Sequence, residues 1–460
     1  MIAEKTSLTL SLPLWAETDV LVLGGGPSGF AAALTAAEMG AKTLLVEQYG
    51  FLGGMATAAL VMPWNVWAKP VTTKDIGGIY GKLIGLLDKR GGSFRFSGQT
   101  VLRSFHPQIL KMGMDEMALQ AGVKILFHTL AVDALREKEP ITAVVLQNKT
   151  GKGIVKAKTI VDATGDGDVA FRAGAKFLEP KESHQSQPGT LIFLMGGVDI
   201  PTMIDYLRAQ PSEIGDWPPS DEMRFSDGEH ICMSGFSQAI DRAKSDGVPL
   251  LGTQLILCST PIRGLVSVNI TKVYGIEIQD PWSISRAEIE ARRQIGVAID
   301  FLKRYIPGFD RSYLADLGVQ IGIRETRRVA GDIIMEMRGM HSGQYFSDRI
   351  ARLFNVGHLD FTGTDSGGNP TVHFEYLAED LLIPIGSLIP EGIENLCISG
   401  RCISADPEVF GYIRTQTACF ATGQAAGTLA ALASREEGRT REVPVRAVQQ
   451  ALTADGIELG

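Results

Sequence analysis

Short apolar runs alternate with glycine-rich or polar segments in the first part of the chain, and this spacing predicts strands separated by helices. Residues 19–23 form an apolar run suited to a buried strand, and residues 43–46 form a second one. Between them, the alanine-rich run 30–39 favours a helix that ends at Gly40. The pattern therefore predicts a strand–helix–strand unit of an α/β protein.

The next stretch predicts a helix and a hairpin. The helix opens at His106 and carries apolar residues at helical spacing. Alternating residues at 143–147 and 154–158, joined by a glycine-containing turn, predict an antiparallel hairpin. The hairpin leads into an apolar strand that ends on the glycine turn at residues 163–165.

From about residue 180 the pattern changes, because prolines and polar residues interrupt it. Ser285 and Glu288 have the spacing of a capping box and predict the start of a long helix. Alternating segments predict strands at 190–194, 254–258 and 265–273. This part of the chain is predicted to be an inserted α+β domain.

The turn after the first predicted strand carries the main functional signal. Gly24, Gly26 and Gly29 have GxGxxG spacing, which permits a tight turn, close approach of a pyrophosphate, and close packing of helix on strand. Pro27 suits the first turn of a helix. Glu47 ends the second strand about 20 residues further on, where an acid accepts hydrogen bonds from ribose hydroxyls. A simple glycine turn would leave Glu47 unexplained, so we predict a dinucleotide site.

The loop that follows Glu47 distinguishes between dinucleotides. Residues 50–57 read GFLGGMAT, and here the chain resembles the glutathione-reductase-type FAD-binding fold. More specifically, it resembles the broad FAD-dependent oxidoreductase family, which is distantly related to fumarate reductase and L-aspartate oxidase. DATGDGD at 162–168 and the segment around Gly400 are similar to further family motifs. The resemblance covers residues 6–178 and 319–433, whereas the region 180–318 is poorly matched and should determine the substrate.

The resemblance implies an α/β fold, in which a Rossmann-like FAD-binding domain is built from both chain ends and an α+β substrate domain is inserted. The expected FAD-binding domain comprises residues 1–60, 105–180 and 380–460, and the expected substrate domain comprises residues 61–104 and 181–379.

The resemblance also implies a position for FAD. Adenosine would lie at Glu47 and the pyrophosphate over residues 24–29, with the isoalloxazine between the 53–55 loop and a turn at 410–414. Whether the flavin is covalently attached stays open. The expected cofactor-binding residues are Gly24, Gly26, Pro27, Ser28, Gly29, Glu47, Gln48, Gly53, Gly54, Met55, Thr57, Val132, Ala163, Thr164, Gly165, Gly400, Arg401, Ile413 and Arg414.

Charged residues are concentrated at 319–328, where alternating apolar and polar positions predict a half-buried strand. Arg324, Arg327 and Arg328 surround Glu325 there, and the segment resembles the family's GxRETRR signature. The arginines could bind a carboxylate or stabilise negative charge on reduced flavin. They could equally form a structural ion-pair network with Glu325. Both readings stay open, and Arg324 is the favoured catalytic candidate.

Three other residues are catalytic candidates. His106 and His373 are candidate general bases, although histidines at such positions more often cap or pack. Tyr412 stands where relatives commonly have serine, and it either faces substrate or packs. The seven histidines show no metal-ligand spacing, and the five cysteines include no CxxC pair. We therefore expect no metal, and reduced thiols in a cytoplasmic protein.

Composition excludes some partners. The chain of 460 residues is too long for one core, and its net charge of −8 argues against nucleic acid as the main partner. It has no run of about 18 apolar residues and no signal-peptide pattern, so no membrane span is expected. The expected partners are a small-molecule substrate and an unknown electron acceptor, and a homo-oligomer remains open.

These observations predict an FAD-dependent oxidoreductase that exchanges a hydride between a small molecule, which could bear a carboxylate, and flavin N5. One alternative is an NAD-linked dehydrogenase without flavin, against which the glycine-rich element at 400–427 argues. The other is a flavin-bound protein in RNA modification, against which the acidic charge argues.

Overall fold

The computed structural model describes residues 9–66, 76–97, 101–179, 187–218, 221–343, 345, 347–353, 357–364, 370–376 and 380–460. The strands are β1 Leu14–Leu23, β2 Thr43–Val46, β3 Trp64–Val66, β4 Ser93–Arg95, β5 Val101–Phe105, β6 Lys124–Leu126, β7 Leu130–Arg136, β8 Ile141–Asn148, β9 Gly151–Asp162, β10 Phe193–Gly196, β11 Cys232–Gly235, β12 Leu255–Ser259, β13 Val266–Asn269, β14 Tyr313–Leu317, β15 Arg349–Leu353, β16 Gly357–Thr364, β17 Pro370–Tyr376, β18 Leu381–Pro384 and β19 Leu396–Ile398. The helices are α1 Pro27–Glu38, α2 Met55–Ala58, α3 Gly78–Lys89, α4 Pro107–Gln120, α5 Asp168–Arg172, α6 Ile200–Ala209, α7 Asp221–Arg224, α8 Ser237–Ser245, α9 Ser283–Tyr305, α10 Met337–His341, α11 Pro407–Ile413, α12 Gln416–Ala433 and α13 Val445–Ala454.

A seven-stranded sheet, here called the nucleotide sheet, is built from both chain ends. Its order is β6-β2-β1-β9-β8-β7, and β19 also pairs with β9. β6, β2, β1, β9 and β19 run parallel, whereas β7, β8 and β9 form an antiparallel meander. The parallel strands are apolar because they are buried on both faces. The predicted strand–helix–strand unit, the hairpin and the α/β class are confirmed.

Helices α1 and α12 pack closely against each other beside this sheet, and glycines make this possible. A Cβ atom on Gly423 would lie 2.1 Å from the carbonyl oxygen of Ser28, and one on Gly427 would lie 2.3 Å from that of Ala32. The small residues that the sequence places in α12 therefore serve helix–helix packing. This packing brings the start of α12 close to the start of α1.

A five-stranded antiparallel sheet, here called the roof sheet, has the order β11-β12-β13-β10-β14. One face, including Phe193 and Val268, is buried with apolar residues of α9 such as Phe301. Alternate residues, including Ile192 and Leu194, belong instead to the core of the nucleotide sheet. The roof sheet therefore has two buried faces, and one of them is turned towards the nucleotide sheet.

Three local predictions were wrong. Residues 319–328 form no regular strand, and only an isolated antiparallel bridge between Thr190 and Gly322 joins the segment to the roof sheet. The predicted capping box does not form, because α9 begins earlier and Glu288 accepts a hydrogen bond from the Ile321 amide at 2.6 Å. The turn expected at 410–414 belongs mostly to α11, whose N-cap is Asp406.

The predicted domain boundaries remain predictions, but the packing is informative. The small sheet β3-β5-β4 and helix α3 lie in the segment 61–104, which we assigned to the substrate domain. Trp64 and Tyr80 of this segment pack around Phe420 of α12, at ring-centroid distances of 5.7 and 5.3 Å. Apolar residues of this segment therefore share the core of the nucleotide sheet.

Among the described residues, no helix combines the length and the apolar character needed to cross a membrane. The cytoplasmic location and the possible homo-oligomer stay predictions.

Candidate functional site

A cavity of about 1060 Å³ lies at the carboxyl ends of the parallel strands and continues to the roof sheet. Open α/β sheets bind their ligands at this edge. Most of the predicted cofactor residues line it. These are Gly24, Gly26, Pro27, Ser28, Glu47, Gln48, Gly54, Met55, Ala163, Thr164, Gly165, Gly400, Arg401 and Arg414.

The three glycines of the GxGxxG motif have the mechanical roles that their spacing predicts. Gly24 has φ +97°, and a Cβ atom there would lie 2.5 Å from the carbonyl oxygen of Ala163. A Cβ atom on Gly29 would lie only 1.7 Å from the carbonyl oxygen of Gly24, so this glycine lies behind the cavity and allows helix and strand to pack. Gly26 lines the cavity at the start of α1, where backbone amides and the helix dipole favour an anion such as a pyrophosphate.

Glu47 lies where the motif predicts it, at the end of β2 and in the cavity wall. Its two carboxylate oxygens accept hydrogen bonds from the amides of Gly25 at 2.6 Å and Tyr49 at 2.9 Å. Burial raises the pKa of Glu47, and the backbone hydrogen bonds oppose that rise. The carboxylate is therefore held in a fixed orientation beside the glycine turn, as recognition of a ribose requires.

The second glycine-rich loop contributes only part of its predicted residues to the cavity wall. Gly54 and Met55 line it. Gly53 has φ +109° and packs against Thr57, whose hydroxyl donates to the carbonyl oxygen of Leu52 at 2.7 Å. Gly53 and Thr57 therefore shape the loop from behind.

Residue Val132 is also outside the cavity lining, which at this point consists of Thr129, Leu130 and Ala131. The residues that line the cavity here are therefore one to three positions before the predicted Val132, at the start of β7. Ile413 is fully buried in α11 and does not line the cavity.

The RETRR segment is tied to the DATGDGD loop by charged side chains. Asp166 accepts hydrogen bonds from the Thr326 hydroxyl at 2.6 Å and from Arg401 at 2.5 Å. Arg327 donates to the carbonyl oxygen of Asp166 at 2.9 Å and pairs with Asp168. Burial, with repulsion from Asp166, raises the pKa of Asp168 to about 6. We call these five residues the charged seam, and it joins the segment before α10 to the nucleotide sheet.

The three arginines of this segment have different surroundings. Arg324 lines the cavity together with Arg414 and donates from a guanidinium nitrogen to the carbonyl oxygen of Pro188 at 3.2 Å. Burial, and then repulsion from Arg414, lowers the pKa of Arg324 to about 9. Arg328 is buried, lies 4.0 Å from Glu325 and stands over the ring of Phe410. Arg324 and Arg327 therefore both line the cavity, whereas Arg328 is buried outside its lining.

Two of the other catalytic candidates, His106 and Tyr412, do not line the cavity. His106 caps α4, and its Nδ1 accepts a hydrogen bond from the Gln108 amide at 3.2 Å. Tyr412 is 2% exposed within α11 and is absent from the cavity wall. His373 lies in β17 opposite Asp360, and its side chain is outside the described residues.

Sequence reasoning missed several residues of the cavity wall. Gln416, at the start of α12, accepts from the Trp64 indole at 2.7 Å and donates to the carbonyl oxygen of Val61 at 2.8 Å. Its position after the N-cap Thr415 was a usable signal. Several others lie in the poorly matched region, where the sequence offered no such signal. They include Thr190, Ile192, Asn269, Ile284, Glu288 and Arg292.

The described part of the chain shows the state of the cysteines and of the possible metal ligands. It contains no group of three or more His, Cys, Asp or Glu residues that could hold a metal ion. All five cysteines are free and buried. Cys419 lines the cavity, and burial raises the pKa of its thiol to about 12. A thiol with so high a pKa is a poor nucleophile.

Comparison with known proteins identifies the family. The model of the family "FAD dependent oxidoreductase" matches residues 19–452. A thiamine thiazole synthase of Methanococcus vannielii is 31% identical over 175 residues, which are 35% of this chain and 62% of the relative. A 2,4-dichlorophenol 6-monooxygenase of Delftia acidovorans is 26% identical over 176 residues, which are 32% of this chain and 30% of the relative.

The chain therefore spans less than two thirds of the length of these curated relatives. Among solved structures, a geranylgeranyl bacteriochlorophyll reductase-like protein of Thermoplasma acidophilum is 14% identical, with a TM-score of 0.48. That alignment covers 95% of this chain and 83% of the other.

The family match and the residues that line the cavity agree on the cofactor, and they leave the NAD-linked alternative without support. The cradle fits FAD because its glycine contacts leave no room for side chains beside the turn, and because α1 directs backbone amides into the cavity. The chain belongs to the FAD-dependent oxidoreductase family, and it is an enzyme whose cofactor is FAD.

Proposed function

We propose that this enzyme exchanges a hydride between an anionic small molecule, such as a carboxylate, and N5 of FAD. The observation that carries the proposal is the continuity of one cavity from the glycine turn at Gly26 to the two cations Arg324 and Arg414. A bound flavin supplies the redox chemistry, because it can accept or donate a hydride. The protein's part is to bind, orient and desolvate.

Arg324 and Arg414 support the choice of an anionic substrate. Their mutual repulsion contributes to the lowered pKa of Arg324, and an anion placed between them would relieve it. A guanidinium also matches a carboxylate geometrically and can hold it with two hydrogen bonds. The same positive charge would stabilise negative charge on the reduced flavin ring.

Other residues would orient the reacting groups. Gln416, at the start of α12, lines the cavity and is hydrogen-bonded to Trp64 and to the carbonyl oxygen of Val61. Because the N-terminus of α12 is at the cavity, the positive end of its helix dipole would face a bound ligand. Ile192 of the roof sheet and Val61 contribute apolar wall that would exclude water. We assign no residue as general base.

The test starts with the visible absorption spectrum of purified protein reconstituted with FAD, followed by acid precipitation. FAD in the supernatant indicates non-covalent binding, whereas colour in the pellet indicates a covalent link. Holoenzyme is then mixed anaerobically with carboxylates and with uncharged alcohols and amines of matched size. Bleaching of the flavin by a carboxylate but not by its uncharged match supports the proposal, and the opposite preference contradicts it.

A further inference from the structure

The substrate end of the cavity contains a hydroxyl whose hydrogen bonding is incomplete. Thr190 lines the cavity, is 3% exposed, and its Oγ1 has no hydrogen-bond partner within the described part of the chain. Nearby Thr271 differs, because its hydroxyl accepts from the Leu191 amide at 2.9 Å and donates to the Leu191 carbonyl oxygen at 3.0 Å. A buried polar group without a hydrogen-bond partner destabilises the folded state. Its presence at a ligand site therefore suggests a ligand group that satisfies it.

The backbone places this hydroxyl and Arg324 on the same wall. Thr190 and Gly322 form an antiparallel bridge, with amide-to-carbonyl hydrogen bonds of 3.1 and 2.8 Å. Two residues beyond Gly322, the Arg324 guanidinium donates to the carbonyl oxygen of Pro188, two residues before Thr190, at 3.2 Å. Thr190 and Arg324 therefore belong to adjacent segments, and both line the cavity.

Gly322, the bridge partner of Thr190, also lines the cavity. A Cβ atom there would lie 3.1 Å from the Thr190 carbonyl oxygen, 3.4 Å from the Cβ atom of Ala59 and 3.5 Å from a Val61 methyl group, so a side chain at this position would have little room. Thr190, Gly322 and Arg324 thus line one cavity, in which a small molecule would meet all three.

We propose that Thr190 and Arg324 together select a carboxylate that also carries a hydroxyl or carbonyl group, with Arg324 binding the carboxylate and Thr190 the second oxygen. This inference rests on the proposed function and narrows its substrate class. A threonine hydroxyl can donate to a carbonyl or accept from a hydroxyl, so either oxidation state of the substrate satisfies it.

Matched pairs of ligands test the inference by calorimetric titration of anaerobic holoenzyme. The pairs are propionate with lactate, butyrate with 3-hydroxybutyrate, and succinate with malate. In wild type, at least one oxygenated member should bind roughly 5- to 10-fold more tightly than its match, as one net hydrogen bond provides. In Thr190→Val that ratio should fall to about one while the unsubstituted acid keeps its affinity, and Thr190→Ser should restore the ratio.

Arg324→Gln should weaken both members of a pair by more than about 10-fold, because it removes the shared carboxylate contact. An unchanged ratio in Thr190→Val would overturn the inference, even if carboxylates bind and bleach the flavin as the proposed function requires. Equal affinities of wild type for both members of every pair would also overturn the inference. If no carboxylate binds wild type at all, the carboxylate part of the proposed function fails together with the inference.

Discussion

The two ends of the cavity are built in different ways. At the nucleotide end, consecutive residues of one turn, Gly24–Gly29, supply backbone amides and space, and Glu47 follows on the adjacent strand. At the substrate end, the wall consists of side chains from segments far apart in the chain, among them Thr190, Asn269 and Arg324. The first arrangement is local and made of backbone, whereas the second depends on how the roof sheet lies over the nucleotide sheet.

This difference has a physical consequence. A backbone cradle holds the part of the cofactor that is common to all FAD proteins, and it tolerates little change because the chain itself fills the space around it. The side-chain wall can change residue by residue without altering the sheet that carries it. Mutations at the two ends should therefore separate loss of cofactor binding from loss of substrate selection.

The largest effect is expected at the nucleotide end. Gly29→Val places side-chain atoms against the Gly24 carbonyl oxygen, which a Cβ atom would approach to 1.7 Å. Helix α1 must move away from β1, so we expect loss of FAD binding and several kcal/mol of stability. The measurements are flavin content after purification and urea unfolding. Gly85→Ala is the matched control, because nothing lies within 4 Å of its Cβ position and alanine favours a helix. A Gly29→Val protein with full flavin content would contradict the role assigned to this turn.

A change at the substrate end should affect catalysis and spare the cofactor. Arg324→Gln removes one of the arginines that line the cavity, the one beside Arg414, so flavin reduction by a carboxylate substrate should slow by about 10²-fold. Flavin content should stay that of wild type. Stopped-flow reduction rates and the flavin-to-protein absorbance ratio check both parts. Loss of flavin in this variant would mean that the two ends are not separable.

Lys272 offers a pH test of the substrate end. Burial, and then repulsion from Arg324, lowers the pKa of Lys272 from 10.5 to about 8. Between pH 8 and pH 10.5 the lysine is more often protonated in the unfolded chain than in the folded one. The free energy of unfolding therefore rises as pH rises from about 8 to 10.5, and this contribution is lost again as pH falls to 8. We therefore compare the free energy of unfolding of Lys272→Met with that of wild type at two pH values. The difference should favour the variant more at pH 7 than at pH 10.5, by at most about 3 kcal/mol. Urea unfolding at both pH values measures this, and a pH-independent difference would argue against the shift.

The smallest effect is expected at the charged seam. Arg327→Gln loses the ion pair with Asp168, which is partly exposed, and weakens the bond to the Asp166 carbonyl oxygen. We expect a loss of about 1 kcal/mol in urea unfolding. Substrate affinity should change little. The more exposed pair Arg293–Glu290 serves as a control, for which Arg293→Gln should cost less. A large catalytic defect in Arg327→Gln would contradict this structural role and would assign Arg327 to the active site.

Several elements could be predicted because their signals are local. The alanine-rich run 30–39 predicted a helix that ends at Gly40, and the observed helix is Pro27–Glu38. The residues at 319–328 show the limit of the method, since their alternation suggested a strand that has no partner along most of its length. Strand formation depends on a neighbour that supplies hydrogen bonds, and the pattern of one segment does not contain that information.

The acids and arginines of the middle region illustrate the same limit. Glu288 had capping-box spacing, yet its carboxylate accepts a hydrogen bond from the amide of Ile321, which is far along the chain. The RETRR motif suggested either a substrate site or an ion-pair network. Arg324 and Arg327 both line the cavity, and Arg327 also belongs to the charged seam, so the ion-pair network is present and a substrate contact stays a proposal.

The sequence by itself determined the dinucleotide turn, the acid at the end of β2, the α/β class and the FAD family. These features depend on residues that are close in the chain, where spacing alone dictates geometry. Only the tertiary structure decided that Arg324 and Arg327 line the cavity while Arg328 does not, and that Thr190 lines the same cavity as Arg324. Those contacts join segments that are more than 100 residues apart, and they form only when the roof sheet and the nucleotide sheet have packed together.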